Sequence, residues 1–591
     1  MSTPTANALE VFSLSYTYPK GLSPSLTDVS FTVDGPRFVA IMGPTGAGKT
    51  TLAMTLNGLV PQLFEGEFKG RVRVMGMDTQ KFRIQTLVSK VGLVLQDPET
   101  QIFGITVRED VAFGPGNLGL PPAEIEARIA EVLPLVRLSG YDLRFTGELS
   151  GGEKQRLAIA GVLAMHPEVL VLDEPTSELD PLGRQEVYAA VDRLRRDRNL
   201  TILAVEHSSE DIAERADEVI VVREGRIAWR GAPRELFQDV PLTRSLGIRP
   251  PQVAEFGWKL HERGFVPETE IPLTVEEAAD LVRRLLRGRR ILSSAAEGPG
   301  ASGPKSAEAA GPPAVEVVGL EHDYGSTAAV RGVDLTIRRG EFVALVGQNG
   351  AGKTTLVKHF NNLLKPTRGS VRLEGEDIRD QPVGDLSRRV GYVFQNPDHQ
   401  IFCASVREEV AYGLRNLRLA PEEAARRVQQ VLEFVGLEKV ADRHPFTLGK
   451  GERQRVAVAS VLVMQPNLLV IDEPTTGQDW AGTERMMRLV QDLHRAGHTI
   501  VMITHDMRIV AEYAERVVVM HQGRVVADGS PSEVFRRSDV LRRACLTPPQ
   551  ITEMAARLDD VGMPPGVTTV DEAVELVAAA LGSTPADGGR S

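Results

Sequence analysis

Cysteine is nearly missing: Cys403 and Cys545 are the only two in 591 residues. Two cysteines cannot build a disulfide framework or a Cys-rich zinc site, and such a chain fits a reducing cytoplasm. Long apolar runs are missing too. One of the longest, Leu157 to Met165, falls far short of the roughly 20 residues that span a bilayer. Work at a membrane would therefore need a partner. There is no basic excess: 68 Lys and Arg stand against 79 Asp and Glu, a net charge of −11. That balance argues against nucleic acid as a partner. Residues Met1 to Asn7 carry neither a basic n-region nor an apolar h-region, so no secretory signal is expected there.

What the chain does have is glycine placed for phosphate. Gly43-Pro44-Thr45-Gly46-Ala47-Gly48-Lys49-Thr50-Thr51 follows the apolar run Phe38 to Met42 and opens a helix-like segment. A strand, a glycine-rich turn and a helix start bring backbone N–H groups together at the positive end of the helix, where anions bind. The spacing G-x-x-x-x-G-K-T is that of a P-loop. Lys49 is expected to reach the β- and γ-phosphates and the Thr50 hydroxyl to ligate Mg²⁺. The same loop recurs as Gly347-Gln348-Asn349-Gly350-Ala351-Gly352-Lys353-Thr354-Thr355. A glycine-rich turn that binds nothing is the plain alternative, and the Lys-Thr-Thr ending in both copies argues against it.

The recurrence extends through the chain. Lys49 matches Lys353, Gln96 matches Gln395, Glu174 matches Glu473 and His207 matches His505, at nearly constant offset. This is a duplication of one domain. Short β-runs alternate with helical segments in each copy, which predicts an α/β fold with a layered, mostly parallel sheet core. Ala123 to Leu138 and Pro421 to Val435 have helical apolar spacing and predict an inserted helical subdomain. Each copy also carries a tail: Pro250-Pro251-Gln252-Val253 matches Pro548-Pro549-Gln550-Ile551. The expected division is a first ATPase domain over 8–240, a helical appendage over 241–292, a linker over 293–314, a second ATPase domain over 315–540 and a second appendage over 541–582. The linker is rich in Gly, Ala, Ser and Pro, and its typical reach is roughly 25–30 Å.

A phosphate cradle alone hydrolyses nothing; charge must be stabilised and a water oriented. Asp173 and Asp472 end apolar runs and suit a hold on Mg²⁺. Glu174 and Glu473 follow them and suit a general base. His207 and His505 end the next predicted strand, where a neutral imidazole can hydrogen-bond a phosphate. Gln96 and Gln395 follow strand-like runs and can reach Mg²⁺ or water. A solvated acidic turn and a structural histidine are the alternatives, and recurrence in both copies weighs against them.

Leu149-Ser150-Gly151-Gly152-Glu153-Lys154-Gln155-Arg156 resembles the signature of the ATP-binding-cassette (ABC) ATPases, and the resemblance extends over both copies. It implies two P-loop NTPase domains of ABC type, ATP and Mg²⁺ as cofactors, and ATP hydrolysis. Tyr18 and Tyr324 stand where the family stacks an aromatic on adenine, and Asp180 and Asp479 follow the Asp-Glu strands. In this family two such domains close head to tail, with each ATP between the P-loop of one and the signature of the other. The second signature departs from the pattern, reading Leu448-Gly449-Lys450-Gly451-Glu452. Losing the Ser hydroxyl forfeits a bond to a charged acceptor, worth roughly 1.5–3 kcal/mol, and Lys450 returns only a point charge. Crossed assembly would then give unequal sites. The loop at 347–355 would meet the complete Ser150 signature and the loop at 43–51 the altered one.

Leu95 to Phe103 with Val107 to Leu120, and Phe394 to Phe402 with Val406 to Gly413, resemble the energy-coupling-factor (ECF) branch of that family. This implies an importer of vitamins or transition-metal ions. Its partners would be a transmembrane coupling protein and a small membrane-embedded substrate binder, with the ATPase peripheral on the cytoplasmic face of the membrane. Fused forms resemble the subgroup linked to thiamine or its pyrimidine precursor. The segment after each Gln is where the family docks the membrane protein's helices, and Glu99, Glu109, Asp110, Asp398, Glu408 and Glu409 are expected to present an acidic face there. Two alternatives stand. One is the tandem ATPase of a sugar-type importer, which would lack the Gly114 to Leu120 run and the repeated tails. The other is a soluble ABC ATPase acting on ribosomes, which would need a long charged arm between its domains.

Overall fold

The computed structural model describes residues 7–19, 21, 23–176, 179–291, 313–325, 327–417 and 419–582. The chain forms two compact units, Met1–Thr274 and Val275–Ser591. The expected linker at 293–314 lies outside the described residues except for Pro313 and Ala314, which open the strand Pro313–Tyr324.

In the first unit the strand Phe38–Met42 sits inside a six-stranded sheet. The order is Arg226–Gly231, Glu218–Arg223, Phe38–Met42, Thr201–Val205, Val169–Asp173, Val91–Val94. All neighbours run parallel except the edge strand Arg226–Gly231. Three of the inner strands are apolar, save for Thr201 and Asp173, and buried at every residue. Unbroken apolar runs are what a parallel sheet covered on both faces requires. The pleat sends alternate residues to opposite sides. Val39 and Ile41 enter a core shared with the four-stranded antiparallel sheet built on Asn7–Thr17, while Phe38, Ala40 and Met42 enter a core with the helices. The helices Val107–Asn117, Pro122–Leu135 and Gly151–Leu163 form the subdomain inserted between loop and acidic strand.

The second unit repeats this plan. Its sheet runs Val390–Val393, Leu468–Asp472, Thr499–Ile503, Phe342–Val346, Arg516–His521, Arg524–Gly529. A four-stranded antiparallel sheet and the helices Val406–Tyr412, Pro421–Phe434 and Lys450–Leu462 accompany it. The division at 274 falls inside the segment 241–292. Gln252–Glu262 stays with the first unit. Val275–Leu286 belongs to the second, packed on Gln550–Ala556 and Val570–Leu581. Its Ala278, Leu281, Val282 and Leu286 are buried, and Arg283 pairs with Asp560 at 3.1 Å while Glu276 pairs with Arg557.

Parallel strands end together. Gly43, Gln96, Asp173-Glu174 and His207 therefore follow the carboxyl ends of four strands of one sheet, the edge where open α/β sheets bind ligands.

Candidate functional site

The loop after Phe38–Met42 can be made only of glycine at its tightest points. Gly43 has φ +138°, and a Cβ there would stand 2.0 Å from the Val222 carbonyl oxygen. Gly48 has φ +101°, and its Cβ would stand 2.4 Å from the Ser25 carbonyl oxygen. The helix Lys49–Leu56 begins at the next residue, so its first N–H groups lack helical acceptors and face the loop. Lys49 is buried and donates from Nζ to the carbonyls of Gly43 (2.9 Å) and Pro44 (3.0 Å). Lys353 repeats this on Gly347 (2.6 Å) and Gln348 (3.0 Å). Around each lysine, Thr45, Gly46, Asn349 and Gly350 are exposed, and Ala47 and Ala351 are buried. Pro44 and Gln348 are half-buried.

Thr50 Oγ1 donates to Asp173 Oδ1 at 3.3 Å, and Thr354 Oγ1 donates to Asp472 Oδ2 at 3.0 Å. Burial pushes Asp173 up to about 6 against the pull of Thr50, and it raises Asp472 as well, against Tyr392 and Thr354. Among the described residues no group of three His, Cys, Asp or Glu could cage a metal alone. A hydroxyl beside a carboxylate suits a hard cation that takes oxygen ligands and completes its shell from phosphate and water. The donor set therefore fits Mg²⁺ bound with a nucleotide.

Glu174 and Glu473 both hold φ +48°, a left-handed conformation that is uncommon for a non-glycine residue and concentrated at functional sites. Their N–H groups bond the carbonyls of Val205 (3.0 Å) and Ile503 (2.9 Å), which fixes each carboxylate against the histidine strand. Glu174 receives Gln96 Nε2 at 3.0 Å and lies 2.9 Å from His207 Nε2. Glu473 lies 2.6 Å from His505 Nδ1 and receives the Thr476 hydroxyl at 2.9 Å. Burial works against the Glu473 charge, but His505, Lys353 and Thr476 hold the group below its ordinary range. Gln395, unlike Gln96, is exposed; Thr476 fills the corresponding donor role on the glutamate.

The outer parts differ between copies. Tyr18 is half-buried, with its hydroxyl 3.2 Å from Thr51 Oγ1 and its ring edge-on to Tyr16 at 4.8 Å. Tyr324 is exposed and edge-on to His322 at 4.6 Å; Thr355, the counterpart of Thr51, gives its carbonyl to His359 Nδ1 at 2.7 Å. Ser150 caps the helix Gly151–Leu163, its backbone N–H donating to Glu153 Oε2 at 2.8 Å and its Oγ accepting from the Glu153 N–H at 3.3 Å. Gly151 is exposed and Gly152 half-buried at the first turn. Gly449 keeps only the backbone half of this pair, at 3.2 Å from Glu452 Oε2, with Lys450 and Gly451 opening the helix after it. Asp180 and Asp479 cap the helices Pro181–Arg198 and Trp480–Arg495.

One expectation, the acidic face after each Gln, fails at two of its six residues. Asp110 and Glu409 present no acidic face, because both are buried. Asp110 Oδ1 accepts the N–H groups of Phe103 (2.8 Å) and Gly104 (2.9 Å). Glu409 Oε2 does the same for Phe402 (2.9 Å) and Cys403 (2.7 Å). Glu99 pairs with Lys154, Asp398 with Arg453 at 2.7 Å, and Glu109 bonds the Ile105 and Thr106 N–H groups. Glu99, Glu109, Asp398 and Glu408 stay exposed, and beside them these loops expose apolar side chains: Phe103, Ile105 and Phe113 in the first copy, Phe402 and Tyr412 in the second. Phe103 stacks on Phe113 at 5.4 Å, and Phe402 meets Tyr412 edge-on at 4.7 Å.

Three partners of the site's side chains are not marked by any motif in the sequence. They are Thr476 on Glu473, the Tyr392 hydroxyl on Asp472 at 2.8 Å, and a buried Glu206 beside His207 that accepts from Thr176 Oγ1 at 3.0 Å. Tyr392 sits in an apolar strand run that reads as core, so its hydroxyl is the only signal there.

A phosphate loop at a strand end, an acidic pair on a parallel strand and a histidine on the next define a P-loop nucleoside-triphosphatase, here present twice. The family model described as ABC transporter matches residues 26–177 and 330–476. A provisionally named ABC transporter ATP-binding protein of Methanosarcina mazei is 41% identical over 572 residues, covering 95% of both chains. A provisionally named HMP/thiamine import ATP-binding protein, YkoD of Bacillus subtilis, is 33% identical over 557 residues, covering 94% of this chain and 97% of the relative. A solved structure of cbiO1 from Clostridium perfringens, described as part of the ABC transporter complex cbiONQ, is 39% identical. It covers 40% of this chain and 97% of its own, with a TM-score of 0.37. The chain belongs to the ABC transporter family, as an ATP-hydrolysing ATP-binding protein with two such domains fused.

Proposed function

We propose that this chain is the ATPase subunit of an ECF-type importer, driving uptake of a vitamin or metal ion through membrane partners. The observation that carries the reading is end-to-end similarity, tails included, to the fused relative YkoD, whose name gives HMP/thiamine import. Among the described residues no helix is long and apolar enough to cross a membrane, which agrees with a peripheral subunit on the cytoplasmic face. A transmembrane coupling protein and a small membrane-embedded substrate binder complete the assembly.

The chain's residues have separable tasks. The loops 43–51 and 347–355 bind ATP phosphates through backbone N–H groups and through Lys49 and Lys353. Thr50 with Asp173, and Thr354 with Asp472, would hold Mg²⁺, with Gln96 and Gln395 as further oxygen donors; when bound, the ion would neutralise phosphate charge. Glu174 and Glu473 accept a proton from the attacking water, and His207 and His505 hold each glutamate in place. Tyr18 and Tyr324 support the base. Ser150-Gly151-Gly152 and Gly449-Lys450-Gly451 complete the opposite copy's site in head-to-tail pairing. Unequal signatures make the site of Glu473 the main source of turnover.

The exposed apolar set of Phe103, Ile105 and Phe113 is a patch of the kind that marks a protein partner, here the helices of the coupling protein. The test is transport of labelled thiamine or its pyrimidine precursor into cells carrying the chain with its membrane partners. Uptake that requires Glu473 supports the reading. ATPase activity stimulated by ribosomes, with uptake unaffected by deleting the chain, would overturn it.

A further inference from the structure

The two metal-holding aspartates are not held alike. Asp472 Oδ2 accepts two hydroxyls, Thr354 Oγ1 at 3.0 Å and Tyr392 at 2.8 Å. Asp173 accepts Thr50 Oγ1 at 3.3 Å, and the position of Tyr392 is taken by Leu93. The correspondence is set by register: Tyr392 pairs with Val470 two residues before Asp472, as Leu93 pairs with Val171 two residues before Asp173. Tyr392 is 7% exposed, and its ring packs edge-on to Phe394 at 5.0 Å and 83°. A buried tyrosine hydroxyl usually finds a partner, and here the ring is fixed so that the partner is the carboxylate.

We propose that Tyr392 is a positioning residue of the second site, setting the direction in which Asp472 faces Mg²⁺. Two donors on one oxygen restrain rotation of the carboxylate, and Oδ1 would then be the oxygen offered to Mg²⁺ or its bound water. Outer partners of this type orient a ligand and tune its hold on metal. Among the described residues Asp173 receives no second hydroxyl, so it is less constrained. The copies thus differ in readiness for metal as well as in signature. This rests on the reading of Asp472 as a metal holder.

The experiment uses the full chain with Lys49→Ala, which leaves the second loop to bind nucleotide. A fluorescent ATP analogue is titrated in EDTA and again over a range of Mg²⁺. Tyr392→Phe keeps the ring and removes the hydroxyl. The expected result is a Mg²⁺ midpoint raised roughly 10-fold, with affinity in EDTA unchanged. Tyr392→Leu, which copies the first site, should shift the midpoint in the same direction. An unshifted midpoint in Tyr392→Phe overturns the proposal, as does an equal loss of affinity with and without Mg²⁺. A shift in Tyr392→Leu alone assigns the effect to ring packing and also overturns it. Asp472→Asn tests the underlying reading separately: a midpoint indifferent to that change removes Asp472 from the metal site.

Discussion

His505 meets Glu473 through Nδ1, at 2.6 Å. In the first copy His207 meets Glu174 through the other ring nitrogen, Nε2, at 2.9 Å. The two pairs thus meet through different ring nitrogens, although their residue types are identical. Both contacts bridge adjacent parallel strands, so each histidine is placed to hold its glutamate.

This predicts the effect of His505→Ala. The glutamate keeps Thr476 and Lys353 but loses the foremost of the partners that oppose its burial. Turnover should fall by roughly 10²-fold, the lower range for a positioned acid–base group, while the concentration of ATP needed for half-saturation changes little. Steady-state kinetics separate the two. A raised half-saturation concentration with turnover unchanged would place His505 in binding instead.

Thr476→Ala should cost less. The Thr476 hydroxyl is one of several partners of Glu473, and a hydrogen bond to a charged group is worth about 1.5–3 kcal/mol. The kinetic expectation is a loss smaller than that of His505→Ala, with the rate recovered by Thr476→Ser.

A buried histidine should give the second unit a pH-dependent contribution to its stability. His359 is 1% exposed, with Nδ1 on the Thr355 carbonyl at 2.7 Å and Nε2 3.2 Å from His322 Nδ1, which also faces the Lys365 carbonyl at 3.1 Å. Burial chiefly, and His322 beside it, push His359 below the ordinary histidine range, against its bonds to backbone carbonyls. A depressed histidine is neutral when folded and takes up a proton on unfolding. Its contribution is therefore full above about pH 6.5, the unfolded value, and is lost as pH falls below it. Chemical denaturation of the full chain at about pH 7.5 and about pH 5.5 should show a smaller drop in His359→Gln than in the wild type. In the first copy the same helix position is Thr55, whose hydroxyl bonds the Leu52 carbonyl at 2.7 Å.

The aromatic surface and its support should separate in their effects. Phe103 is 68% exposed, so Phe103→Asp should leave unfolding and basal ATPase unchanged and abolish co-purification with the membrane partner. Asp110→Ala removes the buried acceptor of the Phe103 and Gly104 N–H groups and should cost about 1–3 kcal/mol of stability. Thermal melting and co-purification, measured together, distinguish surface from support.

Contiguous motifs make the α/β fold and the inner parts of both sites legible in the amino-acid sequence. Loop, Asp-Glu strand and signature are short words in which spacing encodes backbone geometry, and the duplication repeats each of them. Contacts between strands are not legible, because neither Tyr392 nor Thr476 is marked by its own neighbours in the chain. The charges after each Gln mislead for a related reason. A carboxylate that satisfies buried N–H groups looks in sequence like one that faces water, and only the fold tells Asp110 and Glu409 apart from Glu408. The division of the tails is similarly hidden, since Val275–Leu286 packs on helices that lie far along the chain.

The most direct test of unequal sites compares steady-state ATP hydrolysis by Glu473→Gln and Glu174→Gln in the otherwise intact chain. The account predicts near-complete loss in Glu473→Gln, whose loop would be completed by the Ser150 signature in the proposed head-to-tail pairing, and substantial residual hydrolysis in Glu174→Gln. Equal losses, or a greater loss in Glu174→Gln, would contradict it.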